Sequence, residues 1–311
     1  MGKMSTKISK VREIPRSPAK PMGEVGRSGI ELSIIIVDYK STDFVIKLIS
    51  DLSKHLLTVR FEVIVVDNDS KSSAAGKIKK AHHNLKNLKI IKAKKNLGFG
   101  AGNNLGVKEA SGEYLLFLNP DVKVVDDSIV KMLDFLVKHA EIGALTCLLY
   151  QPAGAEPACR TDRASAGRRD AKNFQRHFFG RFQTLLTVLL RRQAGKIPII
   201  HDEFFYCDMV TGAVMMIKSE IFQRLGGFDE NFFMYIEDED LCRRLVKADY
   251  KNAVLTSARL IHYEGQSSTS LEKKKYYYKS QDYYWQKHYG NFQTAIMKAL
   301  RYPYILWQKM K

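Results

Sequence analysis

The stretch LSIIIVDYKSTDFVIKLISDLSKHLLTVRFEVIVVDNDS, residues 32–70, decides the fold. Its ends, LSIIIV and FEVIVVD, are continuous apolar runs rich in β-branched residues, as expected of strands buried on both faces. Between them Phe44, Leu48, Leu52 and Leu56 recur at helical spacing. Strand, helix and strand in this order predict a parallel β/α unit with a right-handed crossover.

The alternation continues downstream. A helix is expected over 72–82, a strand at LKII (88–91), a helix over 100–110, a strand at EYLLFLN (113–119), a helix over 127–140 and a strand at IGALTCLLY (142–150). The fold class is therefore α/β, with a mostly parallel central sheet flanked by helices. Ligands of such sheets bind beyond the carboxyl ends of the strands. Those ends are polar: Asp38 and Tyr39, then Asp67, Asn68, Asp69 and Ser70, then KKNLGFGAGNN (94–104), then Asn119, Pro120 and Asp121. Gly98, Gly100 and Gly102 do not make a dinucleotide fingerprint, since position 103 is Asn and the motif does not follow the first strand. Small residues followed by Asn103 and Asn104 suit close approach of a ligand to backbone, or simply a tight turn opening a helix. Asp121 is either a turn aspartate or an oxygen ligand for Mg²⁺ or Mn²⁺.

Residues 150–205 interrupt the pattern with a basic, loop-rich insert in which Phe182, Leu185, Leu186, Leu189 and Leu190 form an apolar face. Order resumes with a strand at GAVMMI (212–217), a short helix capped by Ser219 and closed by Gly226 and Gly227, and two short strands near 252–263. Within MYIEDEDLCRRL (234–245), Glu237, Asp238, Glu239 and Asp240 open a helix expected to run to about Ala248. Four successive acids suit the positive end of a helix or serve a cation, and downstream arginines balance them.

The chain has 311 residues, 45% hydrophobic, with a formal charge of +17. That is enough to bury a full core in one large domain or one domain with an appendage. Seven Lys/Arg face three acids over 1–31, ten face two over 158–196, and nine face one over 273–311. The excess positive charge thus lies on a flexible basic tail (1–30), the insert and a Lys/Tyr-rich helical segment (269–311), outside the remainder of the chain. No apolar run reaches the roughly 18 to 20 residues that span a bilayer, and the N-terminus lacks a hydrophobic export segment. A cytoplasmic enzyme is the expectation. Four scattered cysteines suit reduced thiols rather than a zinc site or disulfide framework.

The motifs SIIIVDYKS, VIVVDNDS, NLGFGAGNN, FLNPDV, TGAVMMIKSEIFQRLGGFDENFFMYIEDEDLCRRL and IHYEGQSS, in that order over roughly 32–290, resemble the family 2 inverting glycosyltransferases, especially rhamnosyltransferase-like members of bacterial envelope polysaccharide synthesis. The resemblance implies a GT-A fold over 31–268, with a nucleotide-sugar half (31–122) and an acceptor half (123–268). It also implies a dTDP- or UDP-linked sugar donor, a saccharide or polyprenyl-diphosphate-linked acceptor, and Mg²⁺ or Mn²⁺. By that likeness Asp38, Tyr39, Asp67, Asn68, Asn96, Gly98, Asn103, Asn104 and Asn119 belong to the nucleotide-sugar site. Asp121 matches the last residue of the family's Asp-x-Asp metal motif, whose first position is Asn119 here, and His262 matches a late metal or diphosphate ligand. Glu237 and Asp238 match the Glu-Asp pair, Asp238 as general base and Glu237 orienting the acceptor beside Gly212 and Ala213. Asp240 is expected to support the helix or pair with Arg243 or Arg244.

For the C-terminal segment, whose Phe292, Ile296 and Leu300 mark one helical face before Pro303 interrupts, two readings stay open. One is a helix pair packed on the domain with a solvated lysine face; the other is attachment to the anionic inner face of the cytoplasmic membrane. Nucleic-acid binding also fits +17, but the sequence has no recognised motif for it and the ordered acids oppose it. A catalytically silent assembly partner would lack its base or metal ligand, and both positions are filled here.

Overall fold

The structure, a computed structural model, describes residues 29–69, 71, 73–150, 179–180, 182–185, 203–263 and 270–309. The basic tail, Leu186, Leu189 and Leu190 of the insert, and residues 264–268 of the late histidine motif lie outside them. Strand β1 (Leu32–Asp38), helix α1 (Thr42–His55) and strand β2 (Phe61–Asp67) form the expected unit. Both faces of β1 are used. Ile34 and Ile36 pack with Val45, Leu48, Ile49 and Leu52 of α1, whereas Ile35 turns to the opposite core around Phe117. Pairing of β1 with β2 is parallel and in register from Leu32↔Phe61 to Asp38↔Asp67, which brings the two aspartates out side by side.

Then follow α2 (Ala74–Ala81), β3 (Leu88–Lys92), α3 (Phe99–Val107), β4 (Tyr114–Leu118), β5 (Val122–Lys123), α4 (Ser128–Lys138) and β6 (Ile142–Tyr150). The second half contributes β7 (Phe179–Gly180), β8 (Phe204–Cys207), β9 (Met209–Val210), β10 (Val214–Lys218), α5 (Ser219–Arg224), α6 (Glu237–Lys247), β11 (Lys251–His262) and α7 (Ser270–Lys309). The main sheet runs β3-β2-β1-β4-β10-β6-β11-β5, with β8 also beside β11. Its β1–β4 portion is parallel, but β10 inserts antiparallel between β4 and β6, so the second half is mixed.

Three further details differ from the sequence reading. A single strand β11 replaces the two short strands, because Thr256–Ala258 form an irregularity in its pairing with β6 instead of a break. Ser219 does not cap α5: Lys218 holds that position, and the Ser219 hydroxyl accepts from Gln223 one turn on. Pro303 does not end α7, which continues to Lys309; the sharp break is at Gly290, with φ 83° and ψ 174°. Beyond that break α7 folds back so that Arg301 bonds Gln281 and Asp282 at 2.8 and 2.6 Å. Among the described residues no helix is long and apolar enough to cross a membrane.

Candidate active site

At the carboxyl edge of β1, the buried Asp38 serves its own chain. One carboxylate oxygen accepts from the Ser41 amide and hydroxyl at 2.9 and 2.8 Å, the other from Thr42 Oγ1 at 2.8 Å, which anchors the start of α1. Tyr39 is half-buried beside it, followed by Lys40 at φ 59°. Asp67, also buried, accepts from the Asp69 amide at 3.2 Å. Asn68 builds the next turn: its Nδ2 donates to Asn96 Oδ1 at 3.1 Å and Gly98 O at 3.0 Å, while its Oδ1 accepts from Leu97 N at 2.9 Å. Gly98 has φ 84°, and a Cβ there would lie 1.9 Å from the Phe233 carbonyl oxygen, so only glycine fits the turn. The next amide, Phe99 N, donates to that same oxygen at 3.0 Å. The Gly98 turn is thereby seated on the loop that precedes the acidic helix.

The two asparagines of α3 face their own chain. Asn103 Nδ2 donates to Phe99 O at 3.0 Å, and Asn104 clasps both backbone atoms of Phe228, at 2.8 and 3.0 Å. Asn104 therefore joins α3 to the glycine turn after α5. The rings of Phe117, Phe222 and Phe228, 4.9 to 5.3 Å apart, pack behind this clasp.

Asp121 and His262, far apart in sequence, are brought together by pairing of β5 with β11, in which His262 lies opposite Val122. His262 Nε2 is 3.2 Å from Asp121 Oδ1, and Tyr263 N donates to Asp121 O at 2.9 Å. Among the described residues no three His, Cys, Asp or Glu side chains gather as a metal site. One carboxylate and one imidazole still fit a divalent ion that takes its remaining ligands from water and phosphate. Asn119 on the same loop donates its amide to Ala213 O at 2.9 Å.

The acidic run occupies the first turn of α6, directly after Tyr235 and Ile236, both left-handed at φ 69° and 72°. Such strain in non-glycine residues persists only where surrounding structure enforces it. Asp238 is half-buried; Gly212 N donates to its Oδ2 and Glu239 N to its Oδ1, both at 2.9 Å. Burial raises its pKa against those donors. Glu237 is 5% exposed, and its Oε2 has no hydrogen-bond partner among the described residues. Burial and the neighbouring Asp238 carboxylate push it well above the usual range. Glu239 is pushed up by burial to about 7 while accepting two bonds from Gln183. Burial also disfavours the charge on Asp240, but a bond from His288 and the charges of Arg244 and Lys287 outweigh it and hold this group at about 2.

Gly212 must be small, since a Cβ there would meet the Phe99 ring at 2.8 Å. Thr211–Ala213 links the two sides of the site: Ala213 O receives Asn119 N from the Asp121 loop, and Gly212 N reaches Asp238. Sequence reasoning missed Gln183, Phe233 and Ser280. Ser280 Oγ donates to Met234 O at 2.8 Å and so secures the strained turn before Glu237. Gln183 and Ser280 are lone polar residues in basic or aromatic surroundings, and Phe233 acts through its backbone carbonyl, so none left a periodic signal.

The model for "Glycosyl transferase family 2" matches residues 33–194, more than half of the chain, and that for "N-terminal domain of galactosyltransferase" matches 202–267. The chain is 27% identical over 258 residues to rhamnosyltransferase WbbL of Escherichia coli K12, covering 78% of this chain and 87% of that protein. It is 26% identical over 250 residues to N-acetylglucosaminyl-diphospho-decaprenol L-rhamnosyltransferase of Mycobacterium tuberculosis, covering 76% and 77%. Staphylococcus aureus TarS 1–349 in complex with UDP superimposes with TM-score 0.51 at 21% identity, covering 75% of this chain and 60% of that one. GalNAc-T7 with UDP, GalNAc and Mn²⁺ superimposes with TM-score 0.57 at 16% identity, covering 88% and 54%. These likenesses agree with the sheet order and its flanking helices in giving a GT-A fold. The chain belongs to glycosyl transferase family 2 and is a rhamnosyltransferase-like member of it.

Proposed function

We propose that this glycosyltransferase is inverting and moves rhamnose or another hexose from a dTDP- or UDP-linked sugar to a saccharide or polyprenyl-diphosphate-linked acceptor. The observation that carries the reading is the hydrogen-bonded link from the Asp121 loop through Asn119, Ala213 and Gly212 to Asp238. It ties a phosphate-side carboxylate to an acceptor-side carboxylate through one short strand lead-in. The strand ends of 31–122 would form the nucleotide-sugar half, and 123–268 the acceptor half.

In this reading Asp238 takes the proton of the acceptor hydroxyl as that oxygen bonds to the anomeric carbon, and the bond from that carbon to the nucleoside diphosphate breaks. Its raised pKa makes Asp238 a stronger base than an exposed aspartate. Glu237, whose charged form is disfavoured by burial and by the neighbouring Asp238 carboxylate, would orient the acceptor. Asp121 and His262 would hold Mg²⁺ or Mn²⁺, which supplies positive charge against the diphosphate. Relatives named for a decaprenol-diphosphate acceptor support a lipid-linked acceptor, and the basic C-terminal segment supports peripheral association with an anionic leaflet.

The test is a panel of nucleotide sugars with purified protein and Mg²⁺ or Mn²⁺, followed by nucleoside-diphosphate release. Turnover should stop on chelation, and Asp238→Asn should lower kcat by about 10² to 10⁴ with the fold intact. Near wild-type turnover of folded Asp238→Asn would remove the base assignment.

A further inference from the structure

We propose that Gln183 and Glu239 form a positioning pair that fixes the orientation of Asp238, with Gln183 as the point where the insert and helix α7 both act on the base; this rests on Asp238 being that base. Both residues are deeply buried, at 1% and 4% exposure. Glu239 Oε1 accepts from Gln183 N at 2.7 Å and its Oε2 from Gln183 Nε2 at 2.9 Å. Gln183 Oε1 in turn accepts from Gln281 Nε2 at 2.7 Å and Trp285 Nε1 at 3.3 Å, and its carbonyl accepts from the Tyr289 hydroxyl. One glutamine thus connects the insert, α6 and α7 in a single buried network.

The network reaches Asp238 by two routes. Glu239 supplies the amide that donates to Asp238 Oδ1, so anchoring its side chain anchors that donor. On the other side Phe179 and Gly180 pair with Met209 and Val210, and Phe182 N donates to Asp208 Oδ2 at 3.1 Å. That strand leads into Gly212, the donor to Asp238 Oδ2. Both backbone donors of the proposed base therefore stand on segments that Phe179, Gly180, Phe182 and Gln183 clamp. Arg243, 4.4 Å from the Tyr289 ring and 5.5 Å from the Phe182 ring, covers the same junction.

The network also has a direction. Both Glu239 oxygens accept from Gln183, and Gln281 and Trp285 donate to its Oε1, so a single orientation of the Gln183 amide satisfies both sides. Glu239→Gln alone sets an amide donor against an amide donor, and Gln183→Glu alone sets carboxylate against carboxylate. The exchange Gln183→Glu with Glu239→Gln restores the donor–acceptor pairing between positions 183 and 239 and from position 183 to Gln281 and Trp285, with unchanged net charge.

The experiment measures steady-state kinetics and thermal melting of the full chain for the two single variants, the exchange, Asp238→Asn and Asp238→Asn with Glu239→Gln. Each single variant should lose about 100-fold in kcat with donor KM nearly unchanged, and the exchange should return kcat to within about threefold of wild type. In the Asp238→Asn background, Glu239→Gln should cost almost nothing further, because residues acting as one unit are non-additive. A role in folding alone would instead lower melting temperature and add its loss in both backgrounds. Wild-type kcat in folded Glu239→Gln, or a folded exchange variant as slow as about 1% of wild type, overturns the pair. If the single variants do not fold, the exchange variant against wild type decides alone. Full turnover by Asp238→Asn marks failure of the base assignment, separately from these outcomes.

Discussion

Four consecutive carboxyl groups, Glu237 to Asp240, differ because each meets a different surrounding, and their titration should separate accordingly. Asp240 lies below its ordinary value of 3.8, at about 2, so its ionised form favours the folded chain. That contribution is complete above about pH 4 and disappears as the pH falls through 2. The shift corresponds to about 2 kcal/mol. Asp240→Asn should lower the urea midpoint at pH 7, with the gap to wild type narrowing as the pH falls from 4 to 2; a gap independent of pH would contradict the ion cluster as its cause. Glu239 acts in the opposite sense. Raised from 4.5 to about 7, it contributes stability below 4.5 that is lost as the pH rises through 7. The pairing of Asp240 with Arg244, at 2.8 Å and i,i+4 spacing, was legible in the sequence. Lys287 and His288 were not, since partners contributed by a helix 48 positions away leave no periodic trace.

Among elements, buried strands were the most legible, because continuous β-branched runs admit few alternatives. Helix ends were less so: α3 begins at Phe99 because the Gly98 turn is dictated by contact with Phe233, a residue the local sequence around Gly98 does not contain. Two glycines can separate backbone strain from that contact. Gly226 has φ 78° with nothing within 4 Å of an added Cβ, whereas Gly98, at φ 84°, would strike the Phe233 carbonyl. Gly226→Ala should cost only left-handed strain, about 1 to 2 kcal/mol. Gly98→Ala should cost clearly more in urea unfolding and weaken nucleotide binding as well, because the Asn68–Asn96 turn must move. Equal stability losses for the two would mean that the 233 loop yields freely. For α7, the apolar and aromatic content left packing on the domain and membrane attachment both open. Its reversal at Gly290 and its hold on the strained turn through Ser280 required tertiary contacts to be seen.

At the scale of the molecule, the parallel β1–β4 half followed directly from alternating patterns, while β10 between β4 and β6 did not, since strand order is set by long-range pairing. Charge placement is the other global property. Both C-terminal readings find support in one helix: its inner side is buried through Tyr284, Trp285 and Met297, and its outer side presents Phe292, Tyr302 and Leu300 at 79%, 60% and 39% exposure. The one acid within 273–311, Asp282, is paired with Arg301 and Lys298, leaving a net basic apolar surface. Each basic residue near an anionic leaflet contributes about 1 kcal/mol, and burial of one Phe side chain about 1.5 to 3 kcal/mol. Flotation with phosphatidylglycerol-containing vesicles should therefore recover the protein, fall at high salt, and drop at least about tenfold for Phe292→Glu with Leu300→Glu. Turnover on a water-soluble acceptor should be unchanged, since neither side chain enters the proposed catalytic network. Equal recovery on neutral vesicles, or flotation indifferent to the two substitutions, would assign the basic segment to packing alone.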